Sequence, residues 1–386
     1  MTDPWFQNFE VAKLAAASPD LVNSVLLMLI LLAALFSTKK NIADNHAPLS
    51  TTQTEQVRGI AILLVILGHL LFHVLKPRAA LILSGEAVAC FFLLSGFGLT
   101  MSIRNTRKIP DTFWGRRYRR VMIPYWCATV LVLAADHVIL GKTYPVFMIA
   151  LTTLGINITE AATHLDYVRW YITLQLIWYL LFFCCFSIFR RSYAVRLLFI
   201  CGVCIIVLDY YLARQGWSQI FAFPFGCMCA ISYDRVCAVY TQHRPTLTTA
   251  AWSALIWLFI YKTKLNPLLE ATAPQFICKL VAETNGLILA VSICIIIARF
   301  WDAGYHSRFL LLCGRVSYAL FLLHGPLLIK YNPLIRSAET LPLIMQCSLF
   351  FCMMLLIAWG FQRIVLLIQA GVSTDKKSQQ TSIQRI

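Results

Sequence analysis

Charge is what this sequence has least of. Asp, Glu, Lys and Arg make up 13% of the chain, 59% is hydrophobic and the mean hydropathy is +0.72. Soluble domains are roughly a quarter charged. A soluble globular enzyme is therefore excluded, and no polar segment is long enough to form a sizeable soluble domain. Acidic residues are scarcer still, 17 against 33 Lys and Arg, for a net charge of +16. The basic residues are dispersed between hydrophobic runs, which gives nucleic-acid binding no support. They suit anionic partners, or the positive cytoplasmic loops of a membrane protein. No internal repeat is visible. No small-residue cleavage site accompanies the apolar stretch 21–37, which reads as a retained helix rather than a cleaved signal. The 14 cysteines lie mostly inside apolar runs. Cys201-x-x-Cys204 has no second pair and no His nearby, so packing rather than metal or redox work is the reading.

What is present is a recurrence of apolar runs of about 20 residues, the length that crosses a bilayer as a helix. Eleven candidate spans fall at 21–37, 57–75, 79–102, 121–140, 170–189, 197–212, 219–233, 249–262, 277–299, 309–329 and 341–366. The expected fold is all-α, a polytopic membrane helical bundle of about eleven transmembrane helices. Segment 144–158 is apolar but short, with Gly155 and Asn157, and reads as an interfacial or re-entrant piece. The tail 371–386 is polar, rich in Ser and Gln, and reads as a disordered cytoplasmic end. An outside N-terminus and a cytoplasmic C-terminus place most of the 33 Lys and Arg on the inner side.

Within this map, R-G-I-A-I-L-L-V-I-L-G-H at 58–69 stands out. Ionisable residues inside a span are costly and mark sites or pathways. Along a helix Arg58 and His69 lie roughly 16 Å apart. That puts Arg58 at the cytoplasmic face and His69 near mid-membrane. His73 follows one turn further out on the same helix face. Four readings stay open for His69: general base, nucleophile, metal ligand with His73, or packed polar residue. No third metal ligand is evident nearby. Glu86 is the nearest acid in sequence that could orient an imidazole.

Three further stretches approach the same face. Arg117 and Arg120 are three apart on one helix side, and Arg116 and Arg119 repeat the spacing a step around. Such guanidiniums suit a phosphate or pyrophosphate, and equally an anchor on lipid phosphates. F-F-L-L-S-G-F at 91–97 brings Ser95 and Gly96 to the interface, where Gly permits close backbone approach or helix packing. On the opposite side lie Trp170 and Tyr171, which read as interfacial belt or sugar-stacking residues. His324, inside S-Y-A-L-F-L-L-H-G-P at 317–326, reads equally as structural or functional.

In order along residues 50–366, these stretches resemble the acyltransferase 3 family of integral membrane O-acyltransferases. Arg58-x10-His69 is similar to the family's paired Arg and His, F-F-L-L-S-G-F to its Ser-Gly-Phe element, and Arg117-x-x-Arg120 with V-M-I-P-Y to its R-x-x-R…P segment. Trp170-Tyr171-Ile172, F-P-F-G at 223–226 and S-Y-A-L-F-L-L-H at 317–324 also fall where the family has such motifs. The resemblance divides the chain into an N-terminal extension with an additional span (1–50), the family's ten-span membrane domain (51–370) and the tail (371–386). Ala89-Cys90 replaces the Asp or Pro that many members carry before F-F. If that position helps orient the histidine, Glu86 or another group must serve here. The soluble esterase-like domain fused to some members is absent, so any step it performs either needs an envelope-assembly partner or is not needed.

The resemblance implies acyl transfer, most often acetyl, from acyl-CoA to a hydroxyl of a surface glycan or its lipid-linked precursor. The location implied is the inner membrane of a bacterium. Arg58 and His69 would then carry the reaction, and Arg116, Arg117, Arg120 and Ser95 would hold the donor. His73, Glu86, Trp170, Tyr171 and His324 would meet the acceptor. No metal is expected. Direct transfer, with His69 as base, and an acyl-enzyme on His69 or Ser95 both remain open. The competing reading is a proton-coupled transporter or flippase, against which the lack of a repeat speaks. A purely structural membrane protein is the third.

Overall fold

The structure, a computed structural model, describes residues 16–40, 47–73, 83–104, 109–158, 165–213, 217–332 and 334–383. The side chains of His73, 212–213 and 372–383 lie outside that description.

Helices dominate because hydrocarbon offers no partner for backbone N–H and C=O groups, so each span satisfies its own. In chain order they are α1 (Pro19–Phe36), α2 (Thr51–His73), α3 (Ser84–Ile103), α4 (Phe113–Leu140) and α5 (Val146–Thr153). Next come α6 (Tyr167–Ile188), α7 (Arg191–Leu208), α8 (Ala222–Ile231), α9 (Tyr233–Gln242) and α10 (Arg244–Ile260). The series closes with α11 (Asn266–Thr272), α12 (Gln275–Asp302), α13 (Arg308–Arg315), α14 (Ser317–Ile329) and α15 (Thr340–Ile383). Strands β1 (Thr38–Lys40) and β2 (Tyr305–Ser307) form one short antiparallel ladder that ties the end of α1 to the start of α13.

Among the described residues eight helices are long and apolar enough to cross a membrane; the pair α13–α14, bent by 73°, makes a ninth if it is one broken span rather than a re-entrant loop. The other two expected spans fall on shorter pieces. One is the ten-residue α8. The other is the 17-residue α10, which continues through a π turn at Tyr261–Leu265. At eight residues α5 covers only about 12 Å, in keeping with a piece that does not cross. The backbone of α15 runs on to Ile383, through most of the segment expected as a tail; no proline follows Gly371 to stop it.

Two crossings bring backbones into contact. A Cβ on Gly96 would lie 2.1 Å from the Phe223 carbonyl oxygen, and one on Gly226 would lie 2.1 Å from that of Leu93. Thus α3 and α8 meet glycine to carbonyl in both directions. Gly59 of α2 and Gly314 of α13 repeat the arrangement, with would-be Cβ distances of 2.1 Å to the Leu310 oxygen and 1.9 Å to the Glu55 oxygen. Small residues drive such packing in membranes, where no hydrophobic effect separates helix from lipid. The glycines of S-G-F and F-P-F-G are thereby accounted for. Each crossing also fixes its neighbour: Ser95 precedes Gly96 and Arg58 precedes Gly59.

The α8 N-terminus is held from α12, where the buried Glu283 carboxylate accepts from the Phe221 N–H at 3.3 Å. A carboxylate at a helix start satisfies donors that the helix itself leaves open.

Gly226→Ala forces α3 and α8 apart and should cost about 1–3 kcal/mol of stability. Gly360→Ala has nothing within 4 Å of the added carbon and should stay near the parent. Thermal unfolding of the detergent-purified chain compares the two; equal melting temperatures would remove the crossing's assigned role.

Candidate active site

Proline shapes the arginine cluster. Pro124 has no N–H to give the Arg120 carbonyl, and the turn before it, Tyr118–Met122, opens into a π turn. In this wider turn, residues four apart come closer into line. Arg116, Arg117 and Arg120 accordingly line one cavity of about 500 Å³, and Arg119 does not. Arg58 from α2, Ser95 from α3, Tyr171 from α6 and Arg315 from the α13–α14 bend line the same cavity. Six of the residues singled out in the sequence thus meet in one place, with Arg315 added by the bend.

The cavity holds no Asp or Glu. Arg315 reaches Glu55 at 3.2 Å, outside the lining. Arg58, Arg116, Arg117 and Arg120 form no ion pair among the described residues, although Glu55, one turn along α2, acts on Arg58 through space. Arg116 leans on the Thr112 hydroxyl at 2.6 Å. The Arg117 guanidinium lies over Phe113 and Tyr179, 5.7 and 5.4 Å from the ring centroids. Cation–π contact positions a charge without neutralising it.

A polar row runs inward from these arginines. Gln175 Nε2 donates to Ser95 Oγ at 3.1 Å, and Tyr171 donates its hydroxyl proton to Gln175 Oε1 at 3.1 Å. Tyr179 stands 3.5 Å from Ser95 Oγ. The row ends at an aromatic pair. Tyr171 and Phe321, both lining the cavity, have ring centroids 4.9 Å apart.

His69 lies beyond that pair and does not line the cavity. Its ring is 5.2 Å from that of His324, edge to face, and His324 is 5.9 Å from Phe321. The fully buried His324 donates from Nδ1 to the Phe321 carbonyl at 2.8 Å, which fixes its neutral tautomer with the lone pair on Nε2. The orienting role weighed for Glu86 falls to Tyr167, whose hydroxyl bonds His69 Nδ1. Glu86 instead pairs with Lys262 at 2.5 Å. Trp170 packs against Tyr171 with centroids 6.4 Å apart and lines no part of the cavity. The His73 side chain lies outside the described residues. Among the described residues, no group of three or more His, Cys, Asp or Glu is placed to hold a metal.

Tyr167 is held by what flanks it. Asp166, buried, caps the turn by accepting from the Val168 N–H at 3.4 Å and faces Arg169 at 3.7 Å. Burial pushes the Asp166 carboxyl up to about 6, against the opposing pull of Arg169. Beside this pair, Lys330 donates to Asp136 at 2.7 Å and to the Leu165 carbonyl at 2.9 Å. Nothing in the sequence singled out Tyr167. Its only signal was its place in an Asp-Tyr-x-Arg turn ahead of Trp170.

Such an assembly defines a class: a polytopic membrane protein with an arginine-lined cavity on one side of a histidine within a membrane span. Residues 54–366 match the acyltransferase 3 family, described as an acyltransferase domain, and the chain belongs to that family. It is a membrane acyltransferase; helix α1 lies outside the matched segment. The curated proteins and the solved structures give no match.

Tyr167→Phe keeps the ring and removes the bond to Nδ1. Transfer by the variant should fall about tenfold in kcat, with the KM for the donor unchanged, because a loosened imidazole loses orientation rather than donor affinity. Steady-state kinetics at fixed acceptor measure this; a parent-like kcat would show that Tyr167 only packs.

Proposed function

We propose that the chain moves an acyl group, acetyl foremost, from cytoplasmic acyl-CoA to a hydroxyl of a surface glycan or its lipid-linked precursor. One observation carries the reading: four arginines that form no ion pair among the described residues converge on a cavity that contains no acid. CoA brings a pyrophosphate and a further phosphate at one end and a thioester at the end of a long thin arm. Guanidiniums bind phosphate oxygens bidentately. Arg58, Arg116, Arg117 and Arg120 would hold the phosphates, and the arm would run along Ser95 and Gln175 towards His69. The excess of Lys and Arg in loops on the arginine side supports a cytoplasmic mouth.

In the direct mechanism His69 takes the proton of the acceptor hydroxyl. The acceptor oxygen forms a bond to the thioester carbon, the carbon–sulfur bond breaks, and the leaving thiolate takes the proton back from the imidazolium. Every atom is accounted for with no further reactant. With Nδ1–H donating to the Tyr167 oxygen, Nε2 would carry the lone pair that takes the acceptor's proton. No Ser or Cys of the cavity has a paired base, which favours this route over an acyl-enzyme.

The test uses the purified full chain, radiolabelled acetyl-CoA and a saccharide fraction from the envelope of the producing cell. Label should pass to saccharide with the parent and not with His69→Ala. Label independent of His69, or none at all, would sink the reading. Arg117→Gln and Arg120→Gln should each raise the KM for acetyl-CoA about tenfold, the scale of one charge-assisted hydrogen bond. Unchanged KM in both variants would remove their role as phosphate ligands.

A further inference from the structure

His69 does not line the donor cavity. Phe321 and Tyr171, which do, have ring centroids 4.9 Å apart. Both are buried, at 6% and 9% exposure. Beyond Phe321 come His324 and then His69, at successive centroid distances of 5.9 and 5.2 Å. A thioester that enters past the arginines must pass these two rings before its carbonyl carbon can meet a hydroxyl at His69.

The two rings are not held alike. Tyr171 is anchored through its hydroxyl to Gln175, which is itself bonded to Ser95. It also packs on Phe92, with centroids 4.7 Å apart. Phe321 carries no hydrogen-bonding group; the aromatic rings beside it are those of Tyr171 and His324. Its backbone is tied to the histidine, because the Phe321 carbonyl accepts from His324 Nδ1 at 2.8 Å. Rotation of the Phe321 side chain into the cavity it lines would break no hydrogen bond.

Resting on the donor-site reading above, we infer that Phe321 is the specificity-determining residue for the acyl group. Its ring swings aside as the donor arrives, and the space it vacates is what the acyl chain occupies. A ring-sized space between Tyr171 and His324 admits a small acyl group and refuses a long one. Methylene groups in an apolar pocket are discriminated by about 10- to 200-fold each at best. Removing the ring should relax that limit, and a larger ring should tighten it.

The experiment measures kcat/KM for acetyl-CoA, butanoyl-CoA and hexanoyl-CoA with the purified full chain and one envelope saccharide fraction. In Phe321→Ala the butanoyl-to-acetyl ratio should rise at least about tenfold. In Phe321→Trp it should fall below the parent's. The opposed directions separate selectivity from a general loss of folding, which would lower all three donors together and leave the ratios alone. Ratios that stay at the parent value in both variants overturn the inference while leaving acyl transfer intact. A parent that transfers from none of the three donors overturns the acyl-CoA reading, and this inference with it.

Discussion

Positive charge without a counter-charge, held inside a membrane protein, is the constraint from which the site follows. Cations elsewhere in this chain obey the ordinary rule. Lys262 faces Glu86, Lys279 faces Asp209, Arg169 faces Asp166 and Lys330 faces Asp136. A buried charge left alone is costly, so these pairs are what a stable bundle requires. At the cavity, the half-buried Arg58 and Arg117 and the exposed Arg116 and Arg120 form no ion pair among the described residues. A hydroxyl positions Arg116 and two ring faces position Arg117, and neither kind of contact cancels charge. On the proposed reading, an anion arriving from outside the protein would supply the counter-charge.

Holding those charges together against their repulsion is the task of the backbone. The two glycine crossings lock α2 to α13 and α3 to α8 at distances no side chain could tolerate. Arg58 and Ser95 each sit one residue before a crossing, so their directions are set by backbone contact. The π turn before Pro124 does the same for α4, rotating Arg116 and Arg120 to one side. The 73° bend between α13 and α14 closes the remaining side and carries Arg315 and Phe321 in with it.

Much of this was legible in the sequence because membrane helices advertise themselves by length and hydropathy, and charges inside them are rare enough to be conspicuous. Arg58, Arg116, Arg117 and Arg120 could be singled out by charge and spacing, Ser95 by its S-G-F stretch and Tyr171 by its place beside Trp170, and all six line the cavity. What was not legible depended on how one helix turns against another. Arg315 was not singled out; the bend between α13 and α14 is what brings it to the cavity. Glu86 looked like the partner of an imidazole because it was near in sequence, yet Lys262, far along the chain, is nearer in space. Tyr167 gave no signal beyond its Asp-Tyr-x-Arg turn, since a tyrosine at a helix start in a membrane protein is ordinary. The glycine of S-G-F served packing, and packing is what delivers its neighbouring serine to the cavity.

The separation of Arg58 from His69 along one helix acquires a physical purpose once the rings between them are included. An activated thioester that shared an open chamber with both faces of the membrane would be exposed to water from either side. Tyr171 and Phe321 put a contact between two rings on the side of the arginine-lined cavity nearest His324 and His69, which on the proposed reading separates donor phosphates from the base. Excluding water protects a reactive acyl group and also strengthens the electrostatics of whatever is enclosed. A route that opens only when its own substrate displaces a ring meets both needs. For that reason the arginine and the histidine belong on the same helix yet in different compartments.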